Sequence, residues 1–211
     1  MRKRIMMIAA AMSVLTLFAM TQAAIADRSA QREAGGRARG MLMPLNNSGA
    51  YGRAAVGTDG RQLDVRVQAH ELAHALPHAM HIHWGEEARH ECPTVSRDDD
   101  GDFRLTTVEG VPAYGPVRVS LTTSGDTSPE SVLAVDRYPT APEGTIRYER
   151  QIRTQGEVAR AIRRGEAVVV IHGVDYNGNG RYDFNSAGES DLNEDLPAEA
   201  TDPAVCGALS R

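Results

Sequence analysis

Three histidines in this chain have the spacing expected of a metal site. His81 and His83 lie two residues apart in a stretch, 79–83, that reads as a β-strand. Side chains at such positions point to the same face of a strand, with their Cα atoms roughly 6.5 Å apart, so both imidazoles can reach one ion. His172 ends a separate β-branched run, 168–171, and can supply a third ligand from a distant strand. Imidazole is a good ligand for copper and zinc.

A second candidate site is a loop with oxygen ligands. The stretch 175–183 follows the start of an EF-hand-type loop, D-x-[DN]-x-[DN]-G, in which alternate oxygen ligands and a glycine at the sharp turn suit Ca²⁺. The candidate calcium ligands are Asp175, Asn177, Asn179 and Asp183. The twelfth position is Ser186 rather than Glu, and the alternative is an Asn/Gly-rich turn whose side chains bond to their own backbone. The acidic stretch 98–102 is a further candidate for the same ion.

The N-terminus has the pattern of an export signal. Basic residues at 2–4 precede an uncharged apolar stretch, 5–20, and Ala24-Ile25-Ala26 resembles a cleavage site. The apolar stretch is short for a membrane span, which takes about 20 residues. We therefore expect residues 1–26 to be a signal peptide and the mature chain to be secreted or otherwise extracytoplasmic. The polar segment that follows, residues 27–44, is expected to be a flexible leader.

The net charge limits the partners. The chain has 23 Lys and Arg against 28 Asp and Glu, a net charge of −5, and loss of the signal would remove three basic residues and no acidic one. Nucleic acids and anionic membranes both attract a basic surface, so we expect neither as a partner of the mature chain. A metal ion is the partner that the sequence predicts. The sequence leaves open whether the chain forms a homodimer or binds another protein.

Both cysteines, Cys92 and Cys206, fall in the part expected to be exported. An oxidising compartment and an even count favour one disulfide. Two free buried thiols are the alternative.

Alternating apolar and polar residues predict many short strands. The clearest pattern, at 63–68, is joined by the turn Thr58-Asp59-Gly60 to a strand at 51–57, and further strands are predicted at 117–121, 145–149 and 167–172. One short helix is expected, with Thr154 and Glu157 as a capping box at its start and Gly165 at its end. Long polar loops, such as 173–202, separate these elements. The pattern predicts an all-β antiparallel sandwich.

The combined motifs resemble the copper/zinc superoxide dismutase family. The resemblance rests on H-x-x-H-x-H at 78–83, a cysteine nine residues later, a β-branched strand ending in His172, and A-V-C-G-A-L at 204–209. It implies a Greek-key antiparallel β-sandwich or barrel over residues 45–211. It also implies copper at His81, His83 and His172, a structural role for His78, and a disulfide between Cys92 and Cys206.

Several positions depart from that family. Asp98 stands where the family has the histidine that bridges copper and zinc, and Pro203 stands where it has its active-site arginine. No histidine lies between His90 and His172, so no zinc site is expected, while Asp98 is a candidate fourth copper ligand. The sequence therefore favours a secreted domain that binds copper without full dismutase chemistry. A copper-only superoxide dismutase and a non-catalytic extracellular structural or interaction module are the alternatives.

Overall fold

The computed structural model describes residues 35–211, so the expected signal peptide, residues 1–26, lies outside the described residues. Eight strands make up most of the regular structure in this part of the chain, which confirms the all-β prediction. They are β1 (Gly35–Pro44), β2 (Tyr51–Asp59), β3 (Gln62–His70), β4 (Met80–His83), β5 (Val117–Ser120), β6 (Ile146–Arg153), β7 (Val168–His172) and β8 (Pro203–Ala208).

The strands form one sheet, curled into a half-barrel, in the order β5-β4-β7-β8-β1-β2-β3-β6. Antiparallel pairs join β2 to β3, β3 to β6, β4 to both β5 and β7, and β8 to both β7 and β1. The late strand β8 thus returns to lie beside β1, and β6 returns to lie beside β3 after the β4–β5 pair. The predicted hairpin turn is present at Asp59–Gln62, with Gly60 at a φ of 55°.

Strand β1 corrects part of the expected leader, because residues 35–44 belong to the sheet. Ala38 and Leu42 are buried and their neighbours are exposed, and Met43 pairs with Cys206 of β8. The outward positions carry arginine, methionine and glycine, so the apolar alternation is weak. Because this pattern is weak, the sequence predicted a flexible segment. The segment is ordered as a strand by its pairing with neighbouring strands.

The main core lies on one face of the sheet. Cross-strand pairs such as Leu63 with Ile152 and Val67 with Tyr148 bring inward side chains together, and all four are buried. Each fully buried Val, Leu or Ile stabilises the fold by about 1.5–3 kcal/mol relative to an exposed position. All five residues of β7 are buried, so this strand is covered on both faces. It therefore reads as a continuous apolar run rather than an alternation.

Three α-helices accompany the sheet where the sequence predicted one: α1 (Thr107–Tyr114), α2 (Gly156–Arg164) and α3 (Ala198–Thr201). The predicted helix is α2, and Gly165 ends it in the left-handed conformation as expected. Its predicted capping box is wrong, because Gln155 is the N-cap and makes no side-chain cap. A capping box does occur at α1, where Thr106 and Glu109 bond reciprocally.

One disulfide joins Cys92 to Cys206, across 114 residues of sequence. It links the segment after β4 to the central strand β8, and it confirms the predicted pairing. Among residues 35–211, no helix is both long and apolar enough to cross a membrane.

Candidate metal centre

The two strands that carry the histidines are neighbours. β4 pairs with β7 in antiparallel register, so that His81 lies opposite Val170 and His83 opposite Val168. His172 follows Val168 and Val170 at every second position of β7, so its side chain points to the same face as theirs. Its backbone amide donates to the carbonyl of Ala79 at 2.8 Å. Because directly opposed residues share a face, all three imidazoles project from the same side of the sheet.

That side is the face opposite the main core. Ile82 and Val169 belong to the main core, and they alternate along their strands with the histidines and the valines opposite them. Val168 and Val170 belong to a second cluster, together with Tyr114 of α1. The Cys92–Cys206 disulfide lies in this second cluster. The histidines are therefore covered by the chain that connects β4 to β6, and the disulfide fastens part of that cover to the sheet.

The three imidazoles converge. One ligand nitrogen from each of His81, His83 and His172 lies within 4.8 Å of the other two. The ring centroids are 5.7 Å apart for His81 and His83, 5.1 Å for His81 and His172, and 6.2 Å for His83 and His172. The side chains are sealed from solvent, with exposed fractions of 3% for His81, 1% for His83 and 2% for His172.

Each ring is fixed by a hydrogen bond from its other nitrogen. His83 donates from Nδ1 to the carbonyl of Gly115 at 2.8 Å, and His172 donates from Nδ1 to the carbonyl of Thr201 at 2.6 Å. His81 donates from Nε2 to the hydroxyl of Tyr138 at 2.8 Å. A carbonyl oxygen can only accept, so the bonds of His83 and His172 set their tautomers. Each neutral ring then has its lone pair on the opposite nitrogen.

Those opposite nitrogens have no partner. His81 Nδ1, His83 Nε2 and His172 Nε2 are buried and make no hydrogen bond within residues 35–211. Leaving a buried polar atom unsatisfied costs about 1–3 kcal/mol, so three such atoms on three neighbouring rings need an explanation. A metal ion bound to all three would satisfy them. The carbonyl bonds on the outer nitrogens are the arrangement that metal-ligating histidines usually have.

The electrostatics keep the cluster uncharged. Burial lowers the pKa of His83 to about 3, helped by the charge of nearby His172, although the bond to Gly115 opposes the shift. Burial likewise lowers the pKa of His172 to about 4 and that of His81 well below its usual value. The imidazoles are therefore neutral near pH 7, which is the form that binds a metal.

His78 does not join this cluster. Its ring lies between the carbonyl oxygens of His172, at 2.8 Å from Nδ1, and Ala73, at 3.0 Å from Nε2. Burial lowers its pKa, and the contacts with these two carbonyls oppose the shift. Tyr182 packs edge-on against it with ring centroids 6.1 Å apart. His78 thus contacts the backbone of one cluster histidine rather than the centre itself.

The structure does not bring Asp98 to the histidines, which corrects its place as a candidate fourth ligand. Its carboxylate accepts from the amides of Gly101 at 2.7 Å and Phe103 at 2.9 Å, within its own loop. It groups instead with the exposed carboxylates of Asp100 and Asp102, and is itself half-buried. Asp98 lies apart because the backbone amides of its own short turn donate hydrogen bonds to its carboxylate.

The candidate calcium loop forms a compact turn. Asp175 accepts from the amides of Asn179 at 3.2 Å and Gly180 at 2.8 Å, and Asn177 accepts from the amide of Asn179 at 3.1 Å. Asp183 accepts from the side-chain amide of Asn179 at 2.8 Å, so the four candidate ligands are held together by their own loop. These bonds fit the alternative of an internally bonded turn, and calcium binding stays a prediction.

A buried carboxylate anchors this loop to helix α3. Glu199 of α3 is fully buried and accepts from the amides of Tyr176 at 3.1 Å and Asp183 at 2.8 Å, and from the hydroxyl of Ser186. The loop that looked long and polar in sequence is therefore attached at three points.

Sequence reasoning missed the residues that orient the imidazoles. These residues are Tyr138, Gly115 and Thr201, which lie in loops or at helix ends. None of them belongs to a motif of metal ligands, and two of them act through their backbone carbonyls. The capping box at Thr106 was a readable signal for α1 and hence for the cover over His83. No signal in the sequence marks a backbone carbonyl as a hydrogen-bond acceptor for a distant ring.

No protein-family model matches this chain and no curated protein matches it, so the centre is interpreted from its own residues.

Proposed function

We propose that this chain is an exported domain of superoxide-dismutase-like type that holds one transition-metal ion, copper first, through His81, His83 and His172. One observation carries the proposal. Each of the three buried rings keeps one nitrogen without a hydrogen bond while its opposite nitrogen is engaged, and one ring nitrogen from each histidine lies within 4.8 Å of the other two.

The donor set supports copper over other ions. Three neutral imidazoles suit copper, zinc, iron and nickel, and at equal geometry the affinity of nitrogen sites peaks at Cu²⁺. Calcium and magnesium prefer oxygen donors, and no carboxylate joins the three nitrogens in the described chain. The histidine and cysteine spacing shared with the copper/zinc dismutases points to the same metal.

The protein's own residues would position the ion and exclude water. Tyr138, Gly115 and Thr201 hold the rings, so little reorganisation is needed when a metal enters. Bound copper would supply one-electron chemistry. The closed cover opposes rapid access by a dissolved anion. Pro203 stands in the place of the expected arginine, and Asp98 lies apart from the cluster. We therefore propose metal holding rather than full dismutase turnover.

Export fits the covalent structure. A disulfide persists in oxidising compartments, and the Cys92–Cys206 bond is part of this fold. The N-terminal pattern of the sequence supports the same location.

Metal stoichiometry tests the proposal. We expect the purified metal-free chain to take up one Cu(II) or Cu(I) per molecule, with Zn²⁺ bound more weakly. His83→Gln should abolish tight uptake, whereas the matched control His70→Gln, at a half-exposed position outside the cluster, should not. A chain that takes up no transition metal would be a structural or interaction module instead. A copper-loaded chain that dismutes superoxide much faster than copper in a simple peptide complex would make it a copper-only dismutase.

A further inference from the structure

A basic groove lies on the face of the sheet opposite the main core, over strands other than those that carry the three histidines. It has a volume of about 950 Å³ and crosses strands β1, β2, β3 and β6. The charged residues that line it are Arg37, Arg39, Arg53, Arg66, Arg147 and Glu149. The groove therefore carries five positive charges and one negative charge, on a chain whose net charge is −5.

The arginines are brought together by strand register. Arg53, Gln68 and Arg147 lie opposite one another across β2, β3 and β6, and the next outward row contains Arg66 and Glu149. Neighbouring strands are about 4.8 Å apart, so Arg53 and Arg147 stand about 10 Å apart at their backbones. Arginines that are distant in sequence thus lie close together on one surface. The negative net charge of the whole chain gives no indication of this local positive charge.

Most of this charge is available. Arg66 pairs with Glu149 at 2.7 Å, and Arg53 donates to the amide oxygen of Gln68 at 2.8 Å. Arg37, Arg39 and Arg147 are exposed and form no ion pair with any residue from 35 to 211. Like charges gathered on one face repel one another, and a bound polyanion would relieve that repulsion.

We propose that this groove binds an anionic polysaccharide. Guanidinium groups match sulfate, phosphate and carboxylate groups in two-point hydrogen bonds, and the amide of Gln68 and the hydroxyl of Ser210 can meet sugar hydroxyls. The spaced cations suit a chain with repeated negative groups better than a single small anion.

Other polyanions fit the groove less well. Its one aromatic lining residue, Tyr148, is 7% exposed and donates its hydroxyl proton to the carbonyl of Thr122, so it offers no face on which a base could stack. A bilayer meets a flat or protruding surface, and these arginines surround a depression. A protein partner would need an apolar centre to its interface. Of the large apolar side chains that line the groove, only Met41 is exposed, so the groove offers no such centre.

Binding of labelled dextran sulfate, followed by fluorescence anisotropy, tests this inference. The double variant Arg53→Gln/Arg147→Gln should weaken binding by about tenfold or more and lower the slope of log Kd against log salt by about two. The matched control Arg153→Gln/Arg160→Gln removes the same charge at exposed positions outside the groove and should change Kd by less than about twofold. Uncharged dextran should not bind.

Three results would overturn the inference. Dextran sulfate that does not bind the unaltered chain would refute it, as would an equal loss in the groove variant and in the control. Tighter, groove-dependent binding of single-stranded DNA or of anionic phospholipid vesicles would assign the groove to another partner. If the first double variant lowers the melting temperature, Arg37→Gln/Arg39→Gln serves as the second groove variant and carries the same expectation.

Discussion

The Nε2 nitrogen of His81 lies 2.8 Å from the hydroxyl oxygen of Tyr138, and that hydroxyl donates its own proton to the carbonyl of Ser131 at 2.9 Å. The direction of the bond is therefore fixed: His81 donates and Tyr138 accepts. The nitrogen of His81 that has no hydrogen bond is Nδ1. A tyrosine from a distant loop thus selects the ligand atom.

Replacing Tyr138 by phenylalanine should weaken metal binding while leaving the fold intact. The variant removes the oxygen that accepts from His81 and leaves only the carbonyl of Val132, at 3.2 Å, as its partner. Loss of such an outer hydrogen bond typically costs 10- to 100-fold in metal affinity, and we expect about tenfold here because one acceptor remains. The matched control is Tyr51→Phe, at an exposed position on β2. Equal copper affinity in both variants would show that Tyr138 has no orienting role.

The metal-free chain should lose stability as the pH falls below 6.5. Burial lowers the folded-state pKa of His83 to about 3 and of His172 to about 4, whereas in the unfolded chain both are near 6.5. Between these values the unfolded chain binds more protons, so the free energy of unfolding rises with pH and decreases on acidification. Each histidine contributes a slope of up to about 1.4 kcal/mol per pH unit.

One group opposes this trend. Burial raises the pKa of Asp202 to about 6, so the folded chain gains a proton there on acidification and is stabilised between about pH 6 and 4. The histidines outnumber it, and we expect a net loss of stability. Urea unfolding at pH 7, 6 and 5, with a chelator present, measures the slope. His83→Gln should flatten the dependence, and an unchanged slope in that variant would contradict the assignment.

Leu42 should prove essential to stability although it lies in the segment that the sequence assigned to a leader. Its side chain is fully buried beside β8, so Leu42→Ala should lower the free energy of unfolding by about 2–4 kcal/mol through lost burial and a cavity. The adjacent Met41→Ala, at a position that is 67% exposed, should change it by less than about 0.5 kcal/mol. Similar effects for both variants would mean that β1 does not pack as described.

The disulfide should contribute strongly because of the length of chain it closes. Cys92 and Cys206 are 114 residues apart, and constraining an unfolded loop of that length is worth about 4–5 kcal/mol in the chain-entropy model. Cys92→Ser/Cys206→Ser should therefore unfold at a much lower urea concentration than the oxidised chain. The reduced unaltered chain is the control and should match the variant. A difference below about 1 kcal/mol between oxidised and reduced chains would contradict the prediction.

Alternation predicted β3 well because its outward residues, such as Asp64 and Arg66, are polar and its inward residues, such as Leu63 and Val65, are apolar. Alternation failed for β1, where arginine and glycine surround two buried side chains. Helical periodicity failed for α1, which has Pro112 in its interior.

His81 and His83 could be found from spacing alone, since strand geometry places i and i+2 on one face, whereas His172 was indicated by its place at the end of a β-branched run and by the family resemblance. The tautomers of the three rings could not be found, because these depend on carbonyl groups brought close only by the fold.

The central claim is that one metal ion is held by His81 Nδ1, His83 Nε2 and His172 Nε2. Nitrogen-15 NMR of histidine-labelled chain, titrated anaerobically with Cu(I), tests it atom by atom. We predict that these three nitrogens are unprotonated before addition and that their resonances shift together, saturating at one equivalent. Shifts at His70, His74 or His90 instead, or no shift at the three nitrogens, would contradict the account.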